Sequence, residues 1–250
     1  MNGRKSPFSK IAAVFLLSLV FLLSISLKPV DANAGQITLK PTDDTYVTFE
    51  SRNSNYGGST YLWTAIGYVS RPPKYWEDII WLKFDLSNIP NYALIDNATL
   101  RLYSLSSEGA TFAINAHSCS NTSWSELTLA YSSMPSYYST SMGTVQVTTL
   151  NQWYNWSVVD AVRNAVSNSF GAVTIVLDGY SLLPLAGFNG NLFASKESIV
   201  NLTDYSPELS VYWSDPVTEF PTFVILPFFM AVTLIAAVIY KRKAVVPKFV

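Results

Sequence analysis

Asp78-Ile79-Ile80-Trp81-Leu82-Lys83-Phe84-Asp85-Leu86 is the stretch that decides the fold. Ile80, Leu82, Phe84 and Leu86 recur at every second position while Lys83 and Asp85 fall between them, a period of two that suits a strand with one packed face and one wet face. Residues 98–103 repeat the pattern, with Leu100 and Leu102 inward and Thr99, Arg101 and Tyr103 outward. Working outward, similar segments lie at 36–39, 45–49, 61–68, 111–117, 144–149, 173–177, 192–194 and 208–213, separated by Gly, Pro, Asn and Ser clusters. One segment departs from the period of two: Val158, Val159, Val162, Ala165 and Val166 recur at helical spacing, which predicts a short amphipathic helix over 158–166. About ten strands and one helix imply an all-β domain, a two-sheet, jelly-roll-like sandwich with one short helix. No repeat of fixed period is visible, which argues against a propeller or solenoid.

The two ends read differently. Arg4, Lys5 and Lys10 precede an apolar run from Ile11 to Leu27, and Ala32-Asn33-Ala34 gives the small-x-small pattern of a signal peptidase site. Residues 1–34 are therefore expected to be a signal peptide cleaved after Ala34, with an uncleaved signal anchor as the alternative, since the run is about as long as the shortest spanning helices. Residues 220–240 are apolar and uncharged, long enough to span a bilayer, and Lys241-Arg242-Lys243 follows at once. The expected layout is an extracellular domain at 35–213, a short linker at 214–219, a transmembrane helix at 220–240 and a basic cytoplasmic tail at 241–250. A buried core helix is the alternative for 220–240. The expected location is the cell membrane, single-pass, with the C-terminus in the cytoplasm.

Residues 36–213 carry eight Lys/Arg and fourteen Asp/Glu, a formal net of −6. So acidic a domain is a poor partner for nucleic acid or anionic lipid. Cys119 is the only cysteine, so no disulfide can form within the chain, and the domain must be held by its core, with a structural calcium ion as the expected help. Asn97, Asn121, Asn155 and Asn201 begin N-glycosylation sequons; Asn155, between Trp153 and Trp156, has surroundings that read as partly buried. Catalysis has little to work with. His117 is the only histidine, there is no Gly-x-Ser-x-Gly elbow, and zinc would lack its preferred ligands. A glycosidase needs only two carboxylates, and residue types alone leave that class open. The expectation is a protein that is not an enzyme.

Several segments, in order, carry a resemblance: Pro41-Thr42-Asp43-Asp44-Thr45-Tyr46-Val47, Ser54-Asn55-Tyr56-Gly57, Leu82-Lys83-Phe84-Asp85-Leu86-Ser87-Asn88-Ile89-Pro90 and Ala98-Thr99-Leu100-Arg101-Leu102-Tyr103. Trp124-Ser125-Glu126 and Phe193-Ala194-Ser195-Lys196-Glu197, followed by Pro207-Glu208-Leu209-Ser210-Val211, complete the set. Together they resemble the DNRLRE domain, also classed as carbohydrate-binding module family 96, of archaeal and bacterial surface proteins including disaggregatase-related ones. Lys196 stands where that family more often has Arg. Thr218-Glu219-Phe220-Pro221 and the helix after it resemble archaeal sorting tails in which Pro-Glu-Phe precedes the helix, and they imply a sortase-like processing enzyme as an alternative to a plain anchor.

The resemblance implies binding of a polysaccharide or cell-surface glycan, with an acidic polysaccharide as one form of it. A structural or adhesive envelope protein is the alternative. Three groups of residues are candidates. Arg71, Tyr75 and Trp76 lie in what reads as a loop with a Pro-stiffened turn, 71–78, where aromatic faces could pack on sugar C–H faces and charges could fix hydroxyls or uronates. Lys83, Arg101 and Lys196, with Tyr103 beside Arg101, could line a groove for acidic sugars. Asp43, Asp44, Asn53 and Asn55 offer the oxygen ligands that suit a structural calcium ion.

Overall fold

The computed structural model describes residues 34–181, 186–200 and 203–216, with five helical positions beyond them, Met230, Val232, Thr233, Ile235 and Ala237. In chain order the strands are β1 (Ala34–Leu39), β2 (Asp43–Thr48), β3 (Tyr61–Ser70), β4 (Pro73–Asp85), β5 (Leu94–Glu108), β6 (Ala113–Cys119), β7 (Gly143–Gln146) and β8 (Trp153–Ser157). The helix α1 (Val159–Ser167) follows, then β9 (Ala172–Tyr180), β10 (Gly187–Ala194), β11 (Ile199–Val200), β12 (Thr203–Asp204) and β13 (Glu208–Ser214). Asn33–Pro216 form one compact unit, and of the other, made of the chain's two ends, only the five helical positions are described. Among the described residues no helix is long and apolar enough to cross a membrane. The expected signal segment at 1–34, save Ala34, the membrane helix at 220–240, save those five positions, and the tail at 241–250 lie outside the described residues.

The protein is mostly β with one helix in the folded unit, as the alternation predicts. The strands join in one continuous antiparallel path, β1-β13-β5-β10-β3-β4-β9-β6-β7, with β2 added to β4 and β8 to β5, while β11 and β12 pair with each other. β5 is the reason the path is continuous. It is 15 residues long, and its first part pairs with β13 and β8 while Ser104–Glu108 turns to pair with β10. A register shift between Leu192 and Phe193 of β10 marks where the sheet bends. The curled sheet brings Leu82 and Phe84 of β4, Leu100 and Leu102 of β5, Trp156 of β8 and Phe193 of β10 into one core. A buried Phe such as Phe84 or Phe193 contributes on the order of 2–3 kcal/mol.

On the predicted wet face of β4, Asp85 is exposed and Lys83 half-buried, but the stretch before them is covered. Ile79 and Trp81 are as fully buried as Ile80 and Leu82, because the long connection after β6 folds over them and brings Trp124 and Leu129 against Trp81, Val47 and Val176. A period of two cannot report a strand packed on both faces. β8 escaped the pattern because all five of its residues are aromatic, amide or hydroxyl-bearing and its buried pair, Tyr154 and Trp156, makes too short an alternation to stand out. α1 buries Ala161, Val162, Ala165 and Val166, the face read from the sequence.

Candidate functional site

β4 changes neighbours at Asp78, and the cleft is built there. Asp78 pairs with Thr48 of β2 on one edge and with Ala65 of β3 on the other. Residues opposite one another in an antiparallel pair share a face. Tyr46, two residues before Thr48, and Trp63, two before Ala65, therefore stand on the same side as Asp78, and Trp63 is paired with Leu192 of β10. Tyr46, Tyr56, Tyr61, Trp63 and Phe188 wall an open cleft of about 330 Å³ that has Asp78 in its lining. Tyr56 and Tyr61 stack on Tyr46 with centroids 4.4 and 6.0 Å away, and Trp63 stacks on Phe188 at 5.6 Å.

Asp78 is 5% exposed, and its Oδ1 has no hydrogen-bond partner among the described residues. Burial pushes its carboxyl up to about 6; the charges of Glu50 and Glu77 add to the rise, and the side-chain donors of Thr48 and Trp63 oppose it. The folded protein therefore holds this proton to about pH 6, whereas an unfolded chain releases it near pH 4. The folded state binds more protons across that window, so the contribution is a loss of stability as pH rises from ~4 to ~6, on the order of 3 kcal/mol. Urea unfolding across this range should show that slope in the native chain and a flatter one in Asp78→Asn.

A second cleft, about 450 Å³, involves Phe49, Tyr75, Trp76, Glu77 and Asp178. Here the sequence expectation needs correction: Tyr75 and Trp76 are not in a loop but in β4, and only Arg71 and Pro72 remain in the turn. Tyr75 is 56% exposed and lies beside Tyr68, while Trp76 meets Phe188 edge-on with Lys74 4.9 Å from its ring centroid. Arg71 is exposed.

The three basic residues expected to line one groove each lie against carboxylates of the protein itself. Lys83 is half-buried, bonded to Asp43 at 2.8 Å and to the Trp124 carbonyl at 2.6 Å. Burial pulls the Asp43 carboxyl upward, but hydrogen bonds from Lys83, the Glu126 N–H and Thr42 outweigh it and hold Asp43 below the usual carboxylate value. Arg101 pairs with Glu208 and lies 4.4 Å from the Trp153 ring centroid. Tyr103, its expected companion, stacks on Tyr205 at 4.0 Å in the same surface group. Lys196 bridges Glu126 and Glu197.

Of the four expected calcium ligands, Asp43, Asp44 and Asn55 all bond Glu126, Asp43 accepting from its N–H at 3.2 Å and the Asp44 N–H donating to its Oε2 at 2.9 Å. Asn53 accepts a bond from Ser132, and Asn55 donates to the carbonyls of Glu126 and Leu129 at 2.5 and 2.8 Å. Only Asp44 enters a carboxylate cluster, with Glu126 and Glu197, whose oxygens lie within 4.8 Å of one another. Burial, with the Glu197 and Glu126 charges, raises the Asp44 carboxyl to about 7 against the opposing Lys196.

Of the sequon residues, Asn97, Asn121 and Asn155 are exposed, and Asn201 lies outside the described residues. Asn155 is a correction: it sits on the outward side of β8 between buried Tyr154 and Trp156. Ala34 opens β1, paired with Ser214. His117 has both ring nitrogens engaged, Nε2 with Asp178 at 3.0 Å and Nδ1 with the Thr140 carbonyl at 3.2 Å.

None of the cleft residues, Asp78 included, is among the candidates read from the sequence, although two signals are present. Tyr61 and Trp63 are spaced to share a strand face, and Asp78 is a charge at a position in step with Ile80 and Leu82. The family model for carbohydrate-binding module family 96 matches residues 35–201. The chain belongs to carbohydrate-binding module family 96. A relative of this family 96 chain is a gellan lyase of Bacillus sp, 24% identical over 188 residues, which cover 74% of the chain and 7% of the lyase. The family 96 match takes in the whole aromatic cleft and all three residues of the carboxylate cluster.

Proposed function

We propose that the protein is a non-catalytic carbohydrate-binding module displayed on the cell surface, and that the Asp78 cleft receives an uncharged sugar unit. The observation that carries this reading is a buried carboxylate oxygen with no partner among the described residues, set among five aromatic side chains. Aromatic faces take up the apolar C–H faces of a pyranose, and a carboxylate accepts strong hydrogen bonds from its hydroxyls. No Lys or Arg lines this cleft among the described residues, whereas Glu50 and Asp78 do, so a uronate would meet like charge. Acidic polysaccharide is the second reading, and it draws on the other cleft, where Lys74 lies over Trp76 and Arg52 lies 4.0 Å from the Phe49 ring centroid.

Display at the surface draws on the sequence of the two ends: the signal pattern closing at Ala34, the apolar run 220–240 and the basic cluster after it. In this arrangement the C-terminal segment anchors the module in the membrane, or a sortase-like enzyme processes it at Thr218-Glu219-Phe220-Pro221, and Asn97, Asn121, Asn155 and Asn201 face glycosylation. The test is an array of neutral and acidic glycans, gellan among them because the relative is named for it, probed with the full chain in detergent. Neutral glycans should bind in preference to acidic ones. Binding to none would leave the structural or adhesive envelope role.

A further inference from the structure

We propose that Asp44, Glu126 and Glu197 form a binding site for one calcium ion. The three carboxylates come from three separate segments, β2, the connection after β6 and the turn after β10, and one oxygen of each lies within 4.8 Å of the others. Asp44 is 1% exposed and its Oδ1 has no hydrogen-bond partner among the described residues; Oε2 of Glu197 is buried and unpartnered as well. An unpartnered carboxylate oxygen at that depth is costly unless a cation or donor meets it. Lys196 supplies a single positive charge to three carboxylates, which leaves a formal −2, the charge that one divalent ion cancels. An all-oxygen donor set selects a hard cation, and calcium tolerates the irregular geometry and accepts water and backbone oxygens to complete its ~6–8 ligands.

The ion would tie together chain segments far apart in sequence, and it would reach the cleft. Asn55 is bonded to the Glu126 and Leu129 carbonyls, and at Gly57 an added Cβ would lie 2.1 Å from the Glu126 carbonyl oxygen, so this turn fits only against a fixed Glu126 backbone. Tyr56, between them, stacks on Tyr46, two residues beyond Asp44 on the same face of β2. Calcium should therefore tighten glycan binding, a consequence that rests on the cleft reading, whereas the cation site itself does not.

The test is calcium titration by calorimetry and by thermal unfolding of the full chain in detergent after chelator treatment. Native protein should bind one calcium, and its midpoint should rise by roughly 5–10 °C at a hundredfold excess over Kd. Glu197→Gln and Asp44→Asn should weaken binding at least tenfold, and Asp160→Asn, at an exposed residue of α1, should not. If Asp44→Asn fails to fold, Glu197→Gln, altering a half-buried side chain, carries the comparison. Absence of calcium-dependent heat and midpoint shift in the native chain, or undiminished binding by Glu197→Gln, overturns the site. Calcium binding that leaves glycan affinity unchanged overturns the coupling alone, and calcium binding by a chain that takes up no glycan supports the site and counts against the cleft reading.

Discussion

Trp63→Ala should weaken glycan binding by about ten- to a hundredfold, the equivalent of ~1.5–3 kcal/mol of lost ring contact. Trp63 stacks on Phe188 and stands beside the buried carboxyl of Asp78, so it forms a wall of the cleft and a donor to its floor. Because Trp63 also packs against the core, the variant will lose stability. Two companions separate the effects. Tyr61→Ala removes a ring already 40% exposed, and should cost affinity with little change in unfolding. Asp78→Asn keeps the shape and removes the charge, and should weaken binding about tenfold through loss of a charge-assisted hydrogen bond. Tyr75→Ala, in the other cleft, should leave affinity unchanged; if it alone abolishes binding, the sugar sits there and the acidic-polysaccharide reading gains.

Lys196→Met should be the most destabilising single change at the carboxylate cluster, by about 3 kcal/mol or more in the absence of calcium. Lys196 bonds Glu126 at 2.9 Å and touches Glu197, while its backbone N–H donates to Asp44 at 2.7 Å. Burial lowers its ammonium pKa, yet the two glutamates more than offset this and hold it above the ordinary lysine value. Without the ammonium, three carboxylates face one another with no counter-charge. Two treatments should restore stability. Calcium would replace the missing charge, and acid would neutralise Asp44, whose carboxyl is already raised to about 7. The sign follows from the proton count: a raised Asp pKa means the folded state binds the extra proton, so stability grows as pH falls from ~7 towards ~4. Lys196→Arg keeps the charge and should unfold close to the native chain. Denaturant unfolding at pH 5 and pH 7.5, with calcium and with chelator, reads all of these outcomes.

The strands were legible because alternation reports one-sided burial directly, and α1 because its valines and alanines recur at 3.6. What alternation could not convey was the covering of Ile79 and Trp81 on the outer face of β4, since they are buried by residues some 45 positions away, around Trp124. The same limit hid the site. Tyr46, Tyr56, Trp63 and Phe188 are distant in sequence and meet only through the β2–β4–β3–β10 register. Asp44, Glu126 and Glu197 all stand in segments that carry the family resemblance, but no local pattern encodes the path of the connections that brings the three together. Basic residues drew attention in an acidic domain, yet Lys83, Arg101 and Lys196 each lie against a carboxylate contributed from elsewhere in the chain.

The most direct measurement is a crystal structure of the protein with the tightest-binding oligosaccharide from the array. A sugar ring against Trp63 and Phe188, with a hydroxyl within hydrogen-bonding distance of Asp78 Oδ1, is the predicted result. A sugar bound against Tyr75 and Glu77, or on the Tyr103–Trp153–Tyr205 surface, with none in the Asp78 cleft, would contradict it.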